Sequence, residues 1–250
     1  MIVAKDFVMD WEHFADWFNG KVGRNPWLRN TINKENFKQV LENWEHLNGV
    51  NETSLNRFVA LFLIIYNETG GTFKGITEYG DDAYFFEQRI LSNGLPKMSY
   101  NQKPNLRAGD QLKEMGLITS MSDVIKWNGT IKYPSDQPLN IRLAARNCDF
   151  YKFRGRGFMQ VTWRNNYSVC FGKDFLHWTN EQLDESFKKI EVCCAVFQNY
   201  NLQPSAAFQL AKVEQGNFWN YGKCVSGGDQ YAGLFQNRCK YLIDLIKSGT

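Results

Sequence analysis

The chain has 250 residues, which is enough for one large domain or two small ones with a buried core. Hydrophobic residues make up 43% and charged residues 22%, so a wholly disordered chain is excluded. The 29 basic and 26 acidic residues leave a net charge of +3 with no dense Lys/Arg run, which argues against a dedicated nucleic-acid binder. Aromatic residues reach 15%, and either a ring-rich core or a groove that stacks flat ligands would explain this excess.

The spacing of apolar residues predicts a mainly helical chain. The predicted helices cover residues 8–18, 34–47, 53–69, 107–116, 180–201, 204–213 and 230–247. The third is apolar almost all round, which is typical of a helix at the centre of a domain, and the Gly70-Gly71 pair predicts its end. The Pro-rich region at about 91–150 predicts an irregular excursion or small lobe within one domain that spans residues 1–250.

Membrane and export signals are absent from the sequence pattern. The longest apolar run, Phe58 to Tyr66, is less than half of the roughly 20 residues that cross a bilayer. Charged side chains interrupt the first twenty residues, so no secretory signal is recognised, and export by lysis, a secretion system or a processed precursor is expected instead. The six cysteines contain no CxxC pair, which argues against structural zinc. Cys224 and Cys239 are the predicted disulfide if the chain works outside a cell.

Glu68 is the first candidate for chemistry, because it falls in the last turn of the predicted apolar helix. The negative end of the helix dipole and the apolar neighbours both disfavour an ionised carboxylate, so the pKa of Glu68 should be raised. A carboxyl group that keeps its proton near neutral pH can serve as a general acid. A solvated glutamate at a frayed helix end is the alternative.

Two later glutamates are candidates for a second carboxylate. Glycoside hydrolysis uses two carboxyl groups that flank the bond, about 6.5–9.5 Å apart in inverting enzymes. Glu78 lies between Gly75 and Gly80, in a segment short enough to fold back over the helix end. Glu87 lies in YFFEQRI, where the apolar neighbours indicate packing on the core. We therefore favour Glu78 and keep Glu87 as the alternative.

The segment GRGFMQVTWRNNY, from Gly155 to Tyr167, combines close-approach glycines with alternating side chains. Period-two alternation predicts an extended strand with Gln160 and Thr162 on one face and large apolar groups on the other. A neighbouring amide and hydroxyl can hold a sugar hydroxyl and a water molecule. An ordinary half-buried strand with its polar face in solvent is the alternative.

In their order along the chain, the motifs NETGG, EYG, YKFRGRGFMQVTWRNNY, VSGG and NRCKYL resemble family 19 glycoside hydrolases and the related phage endolysins. That family carries a helix ending in His-Glu-Thr/Ser-Gly-Gly, a G-R-G-x-x-Q-x-[ST]-x-x-x-N-Y segment, and an I-N-G-G turn before an arginine-bearing C-terminal helix. The resemblance covers about residues 53–245.

The resemblance implies a role for each matching residue. Glu68 is the general acid, Glu78 the second carboxylate as in endolysin-like members, and Thr162 the residue that holds the attacking water. The residues expected to contact the sugar are Gln160, Asn166, Tyr167, Tyr79, Arg156, Ser226 and Arg238. No metal or organic cofactor is required. Asn67 and Ser226 depart from the family's His and Asn, and the region 91–150 has no counterpart.

The resemblance further implies a lysozyme-like single domain that is mainly α, with a small β element beside the catalytic cleft. The expected activity is inverting hydrolysis of β-1,4 bonds in an N-acetyl amino sugar polymer, acting on the cell wall or outside the producing cell. Peptidoglycan is favoured over chitin, because EYG and GRGFMQVTW look closer to endolysins than to plant chitinases. A chitinase and a catalytically inactive carbohydrate-binding homologue are the alternatives, and Asn67 and Ser226 speak for the latter.

The expected partner of such a protein is the polysaccharide substrate. Neither binding to nucleic acid nor insertion into a membrane is expected. The sequence leaves open whether an immunity or delivery protein also binds. A nucleic-acid-binding helical domain built on Arg154, Arg156 and Arg164 is the third alternative, and its signature would be salt-dependent binding to polynucleotide.

Overall fold

The computed structural model describes residues 2–4, 7–23, 27–48, 53–86, 142–143, 146–147, 149–172, 174–226 and 228–249. This part of the chain is mainly helical, as predicted. Among the described residues, Asp174–His177 form a 3-10 turn. The strands and helices, in chain order, are β1 (Ile2–Ala4), β2 (Phe7–Met9), α1 (Trp11–Lys21), α2 (Lys34–Glu42), α3 (Trp44–Asn48), α4 (Leu55–Glu68), α5 (Asp82–Phe86), α6 (Asp149–Lys152), α7 (Arg164–Phe171), α8 (Asn180–Phe187), α9 (Ile190–Asn201), α10 (Pro204–Val213), α11 (Trp219–Ser226) and α12 (Asp229–Gly249).

The helix predictions hold best where caps and apolar spacing agree. Helix α4 occupies most of the predicted 53–69, with the Ser54 side chain accepting from the Arg57 N–H at its start. Helix α10 has the predicted bounds, with Pro204 in its first turn. The predicted helix 180–201 is wrong as one element, because α8 ends at Phe187 and α9 begins at Ile190. The predicted helix 107–116 lies outside the described residues.

Several short helices, among them α6, α7 and α11, and one hairpin were not predicted. Helix α7 begins at Arg164, directly after the residues whose alternation predicted a strand, and α11 ends at Ser226, within the VSGG segment. Strands β1 and β2 pair in antiparallel register, with Val3 opposite Val8, so the predicted helix at 8–18 begins only at Trp11. The Asp10 side chain accepts from the Glu12 N–H at 2.8 Å and caps that helix.

The chain divides into two compact units. The first unit comprises Met1–Ile76, Gly157–Met159 and Phe187–Thr250, and the second comprises Thr77–Arg156 and Gln160–Ser186. The prediction of one domain over residues 1–250 stays a prediction, and most of the lobe expected at about 91–150 lies outside the described residues.

The first unit is built around α4. Every residue from Phe58 to Tyr66 is buried, which confirms the predicted central helix. The Phe62 ring lies at the middle of an aromatic cluster, 5.3 Å from Phe14 and 5.2 Å from Phe18 between ring centroids. The other rings within 6 Å of Phe62 are Phe37, Phe58, Tyr66 and Phe73. Much of the aromatic excess therefore stabilises this core.

The second unit combines a ring cluster with buried ion pairs. Phe153, Tyr167 and Phe175 pack together with centroid separations of 5.2–5.8 Å. The fully buried Asp82 accepts two hydrogen bonds from Arg142 and one from Arg146, so its charge is paired. Thr77 pairs with Arg156, and Arg156 with Val161, as isolated antiparallel bridges, which are the β structure that surrounds Gly155.

None of the helices in the described ranges combines the length and the apolar character needed to cross a membrane.

Candidate functional site

Glu68 is the last residue of α4, and the turn that follows fixes its backbone. The Thr69 N–H donates to the Ile65 carbonyl at 2.9 Å, and the Gly71 N–H donates to the Tyr66 carbonyl at 2.9 Å. Gly70 and Gly71 have φ of 59° and 82°, a left-handed conformation that glycine adopts without steric cost. The predicted Gly-Gly stop is therefore confirmed.

The glycine turn also packs on the segment before α2. A Cβ on Gly71 would lie 2.5 Å from the Thr31 carbonyl oxygen, so a larger residue cannot replace this glycine without moving the backbone. The Tyr66 hydroxyl donates to the Asn30 carbonyl at 2.9 Å and accepts from the Asn30 N–H at 2.8 Å. These contacts hold the end of α4 in place.

Tyr231 of α12, in the first unit like Glu68, affects the pKa of the Glu68 carboxyl. Burial raises the pKa of Glu68, as predicted from its place on the helix, and the Tyr231 hydroxyl offsets part of that rise. Burial, and after it the Glu68 carboxylate, raises the pKa of Tyr231, so its phenol stays neutral at physiological pH. This arrangement favours a protonated Glu68, which is the form that a general acid needs.

Asn67 and Arg238 form the other side of this cluster. Arg238 Nη1 donates to Asn67 Oδ1 at 2.5 Å, and burial lowers the pKa of the Arg238 guanidinium. Asn67 therefore has a structural partner at the position where the resembled family carries His. In the described part of the chain, three buried atoms of this cluster make no hydrogen bond: Asn67 Nδ2, Tyr231 OH and Arg238 Nε. Buried polar atoms without partners are uncommon in folded proteins, and their cluster beside a carboxyl marks this end of α4 as a candidate site.

Glu78 lies in the second unit, where the backbone of Gly155 binds it twice. The Gly155 N–H donates to Glu78 Oε2 at 2.9 Å, and the Glu78 N–H donates to the Gly155 carbonyl at 2.7 Å. A Cβ on Gly155 would lie 2.6 Å from Gln160 Oε1 and 3.1 Å from Glu78 Oε2. The structure thus brings Glu78 and Gln160 together, and the first glycine of the GRG motif is what allows it.

The GRG segment is a tight turn, so the predicted strand is wrong. Arg156 and Val161 exchange two backbone hydrogen bonds, of 3.2 and 2.9 Å, around residues 157–160. Gln160 and Trp163 have φ of 51° and 71°, which no strand residue adopts. Phe158, Met159 and Val161 are all buried, so the side chains do not alternate between two faces. Gln160 and Thr162 are both partly exposed.

Arg156 and Tyr167 were predicted to contact the sugar, but both are fully buried inside the second unit. Arg156 donates to Asp184 at 2.6 Å and to the Tyr167 hydroxyl at 2.9 Å. The Tyr167 hydroxyl in turn donates to the Arg154 carbonyl at 2.7 Å, and burial raises the pKa of Tyr167 to about 12. These two side chains support the GRG turn from within and present no surface to a substrate.

The remaining predicted residues divide between the described and the undescribed parts of the chain. Tyr79, beside Glu78, is 96% exposed, and Asn166 is half-buried in α7. Glu87 and the side chain of Ser226 lie outside what the structure describes, so their roles stay predictions.

Cys224 and Cys239 are free thiols, so the predicted disulfide between them is not formed. Within the described ranges, no group of three His, Cys, Asp or Glu residues could hold a metal ion.

Tyr231 is the site residue that sequence reasoning missed. It lies seven residues before Arg238 on α12, and this spacing puts both side chains on the same helix face. Since Arg238 was already a predicted site residue, the helical period was a usable signal for Tyr231.

Comparisons with known proteins give no relative to set beside this site. No family model matches the chain, and neither the curated proteins nor the solved structures contain a match.

Proposed function

We propose that this protein is a lysozyme-like glycoside hydrolase that cleaves β-1,4 bonds in a polymer of N-acetyl amino sugars, with peptidoglycan favoured over chitin. The observation that carries the proposal is the Glu68 carboxyl. It ends a buried helix, its pKa is raised by burial, and the Asn67, Tyr231 and Arg238 side chains beside it carry unpartnered polar atoms. This is the environment that a catalytic acid requires.

In this proposal Glu68 protonates the glycosidic oxygen as the bond to the anomeric carbon breaks. The roles proposed for Glu78 and Thr162, activation and orientation of the attacking water with inversion of configuration, are those that the family resemblance implies. The hydrogen bond from the Gly155 N–H supports the role of Glu78, because it fixes the direction of one carboxylate oxygen.

The exposed ring of Tyr79 supports a carbohydrate substrate. A tyrosine that is 96% exposed directly beside a candidate catalytic carboxylate offers a flat face on which a pyranose ring can stack. The Gln160 side chain lies beside Gly155, as the Glu78 carboxylate does, and its amide can bind a sugar hydroxyl.

The test is product analysis on two substrates. Purified peptidoglycan and chitin oligomers are incubated separately with the protein, and new reducing ends are identified by mass spectrometry. New muropeptides with reducing N-acetyl amino sugar ends support the favoured activity, and chito-oligomers with inverted anomers point to chitin instead. Saturable binding to either polymer with no new ends would overturn the enzymatic proposal and identify a carbohydrate-binding protein.

A further inference from the structure

Two backbone segments of the second unit, one ending in Glu78 and one carrying the GRG motif, pair in antiparallel fashion. Thr77 lies opposite Arg156, and the next pair along is Glu78 and Gly155, joined by the 2.7 Å backbone hydrogen bond. Successive side chains of extended segments point to opposite faces, and directly opposed residues share a face. Thr77, Arg154 and Arg156 therefore lie on one face of this pair. The Glu78 carboxylate lies on the other face, beside the α-carbon of Gly155.

The Asp184 carboxylate of α8 is the shared acceptor on the first of these faces. The Thr77 hydroxyl donates to Asp184 Oδ1 at 3.2 Å. Arg154 Nη2 donates to Oδ1 and Oδ2 at 3.1 and 2.8 Å, and Arg156 Nε donates to Oδ1 at 2.6 Å. Donors from both backbone segments thus meet on one carboxylate, which joins the segment of Glu78 to the segment of Gly155.

Helix α8 and the burial of the two arginines fix this carboxylate in place. Asn180 lies one turn before Asp184 on the same helix face, and its Oδ1 accepts from Arg154 Nη1 at 3.0 Å. Arg154 and Arg156 are both buried, so their charges need a counter-charge. Burial, and after it the Arg156 charge, lowers the pKa of Arg154, whereas Asp184 raises it. Asp184 therefore neutralises buried charge as well as joining the two segments.

We propose that Asp184 is the positioning residue for Glu78. By fixing how the two segments pair, it sets the place where the Gly155 N–H meets Glu78 Oε2, at 2.9 Å on the opposite face. The catalytic meaning of this inference rests on the proposed function, in which Glu78 is the second carboxylate. The hydrogen bonds that link Asp184 to both segments do not rest on it.

The experiment compares two substitutions of Thr77, the donor next to Glu78. Thr77→Val keeps the shape of the side chain but removes its bond to Asp184, and Thr77→Ser keeps the hydroxyl but loses a methyl group. Hydrogen exchange of the Glu78 and Gly155 N–H groups is followed by NMR. Exchange of both should be about two- to tenfold faster in Thr77→Val, as expected for one lost hydrogen bond. Thr77→Ser should restore the wild-type rates.

The Tyr167 N–H distinguishes positioning from general loosening of the second unit. It donates to the Trp163 carbonyl at 3.1 Å, at the start of α7, and its exchange rate should be the same in all three proteins. Unchanged exchange of the Glu78 and Gly155 N–H groups in Thr77→Val would overturn the proposal. Equal acceleration of these groups and the Tyr167 N–H would also overturn it, because the whole unit would then have loosened.

A second variant acts on the carboxylate itself. Asp184→Asn removes the charge that pairs the two arginines, so exchange of the Glu78 and Gly155 N–H groups should be faster than in Thr77→Val. Glu185→Gln, the same change of acid to amide at the next, exposed residue of α8, is the control and should keep the wild-type rates. Wild-type exchange in a folded Asp184→Asn variant contradicts the proposal. If Asp184→Asn does not fold, the two Thr77 variants decide the question.

Activity then separates this inference from the proposed function. If the protein cleaves a glycan, Thr77→Val should lower kcat by about two- to tenfold with KM unchanged, and Thr77→Ser should keep the wild-type kcat. A wild-type kcat in Thr77→Val, or a raised KM with kcat unchanged, would overturn the positioning role while the proposed function stands. If no glycan is cleaved, the proposed function fails, while hydrogen exchange still decides whether Asp184 fixes the contacts between Gly155 and Glu78.

Discussion

Glu68 and Glu78 are ten residues apart in the chain, but their surroundings differ in kind. Burial raises the pKa of Glu68, and Tyr231 lowers it in part. Glu78 is held by the main chain of Gly155, through one hydrogen bond to its carboxylate and one from its own N–H. Desolvation thus raises the pKa of Glu68, whereas a backbone hydrogen bond orients the carboxylate of Glu78.

The difference decides which substitutions reach each group. Side-chain changes on α12 alter the environment of Glu68, because its neighbours there are Tyr231 and, through Asn67, Arg238. The bonds between the Gly155 backbone and Glu78 survive side-chain changes elsewhere that preserve the turn, since only proline at position 155 would remove the donating N–H. Only a residue larger than glycine at position 155 interferes directly.

The largest expected effect is loss of activity in Glu68→Gln. Removing a general acid costs about 100- to 10,000-fold in rate, because the leaving oxygen then departs without a proton. The measurement is release of reducing ends from the glycan that the wild-type protein cleaves. The matched control is Glu42→Gln, since Glu42 ends α2 as Glu68 ends α4 but is exposed. Near-normal activity in folded Glu68→Gln would rule out the assignment.

The second prediction concerns the two hydrogen bonds between the Gly155 backbone and Glu78. Gly155→Ala puts a methyl group 2.6 Å from Gln160 Oε1 and 3.1 Å from Glu78 Oε2, so both side chains must shift. A displacement of about 1 Å at a catalytic group can cost on the order of 100-fold, and kcat should fall accordingly. Gly233→Ala, where a Cβ meets no atom within 4 Å, is the control and should keep full activity. Equal rates for the two variants would mean that the contacts between Gly155 and Glu78 are unimportant for activity.

The third prediction concerns the support beneath the turn. Tyr167→Phe removes the hydroxyl that joins Arg156 to the Arg154 carbonyl, and should lower the free energy of unfolding by about 1–3 kcal/mol. Urea unfolding measures the loss, with Tyr84→Phe, an exposed tyrosine of the same unit, as the control. Because Tyr167 is buried, KM should not change. A raised KM with unchanged stability would restore the predicted sugar contact.

The smallest effect is a pH dependence of stability. Because the folded-state pKa of Glu68 is raised, its contribution to stability is complete below the unfolded pKa, about 4.5, and is lost as pH rises through the folded pKa. Glu68→Gln removes the charge that must be buried at high pH. The free energy of unfolding of the variant, relative to wild type, should therefore increase between pH 4 and pH 8. A constant difference would contradict the burial of Glu68.

Helix α4 and the place of Glu68 could be predicted from the sequence, since their causes are local. A continuous apolar run, a serine cap and a Gly-Gly stop lie within twenty residues and agree with one another. A raised pKa of Glu68 was one of two alternatives that this information left open, and the burial of the side chain in the structure favours it.

The neighbours of each carboxyl were decided by tertiary structure. Tyr231 and Arg238 come from the last helix, and their meeting with Asn67 and Glu68 depends on how α12 packs against α4. Glu78 and Gly155 likewise lie far apart in the chain, and no local sequence pattern predicts the hydrogen bonds between them.

The GRG segment shows why a local sequence pattern can predict the wrong backbone structure. Alternation predicts a strand only if one face is buried and the other is solvated. Here Phe158 and Met159 are both buried although they are adjacent, and the bonds between Arg156 and Val161 close a turn that forces Gln160 to positive φ. Helices α4 and α10 follow from forces acting within one segment, whereas this turn follows from packing on all its sides, which no stretch of sequence encodes by itself.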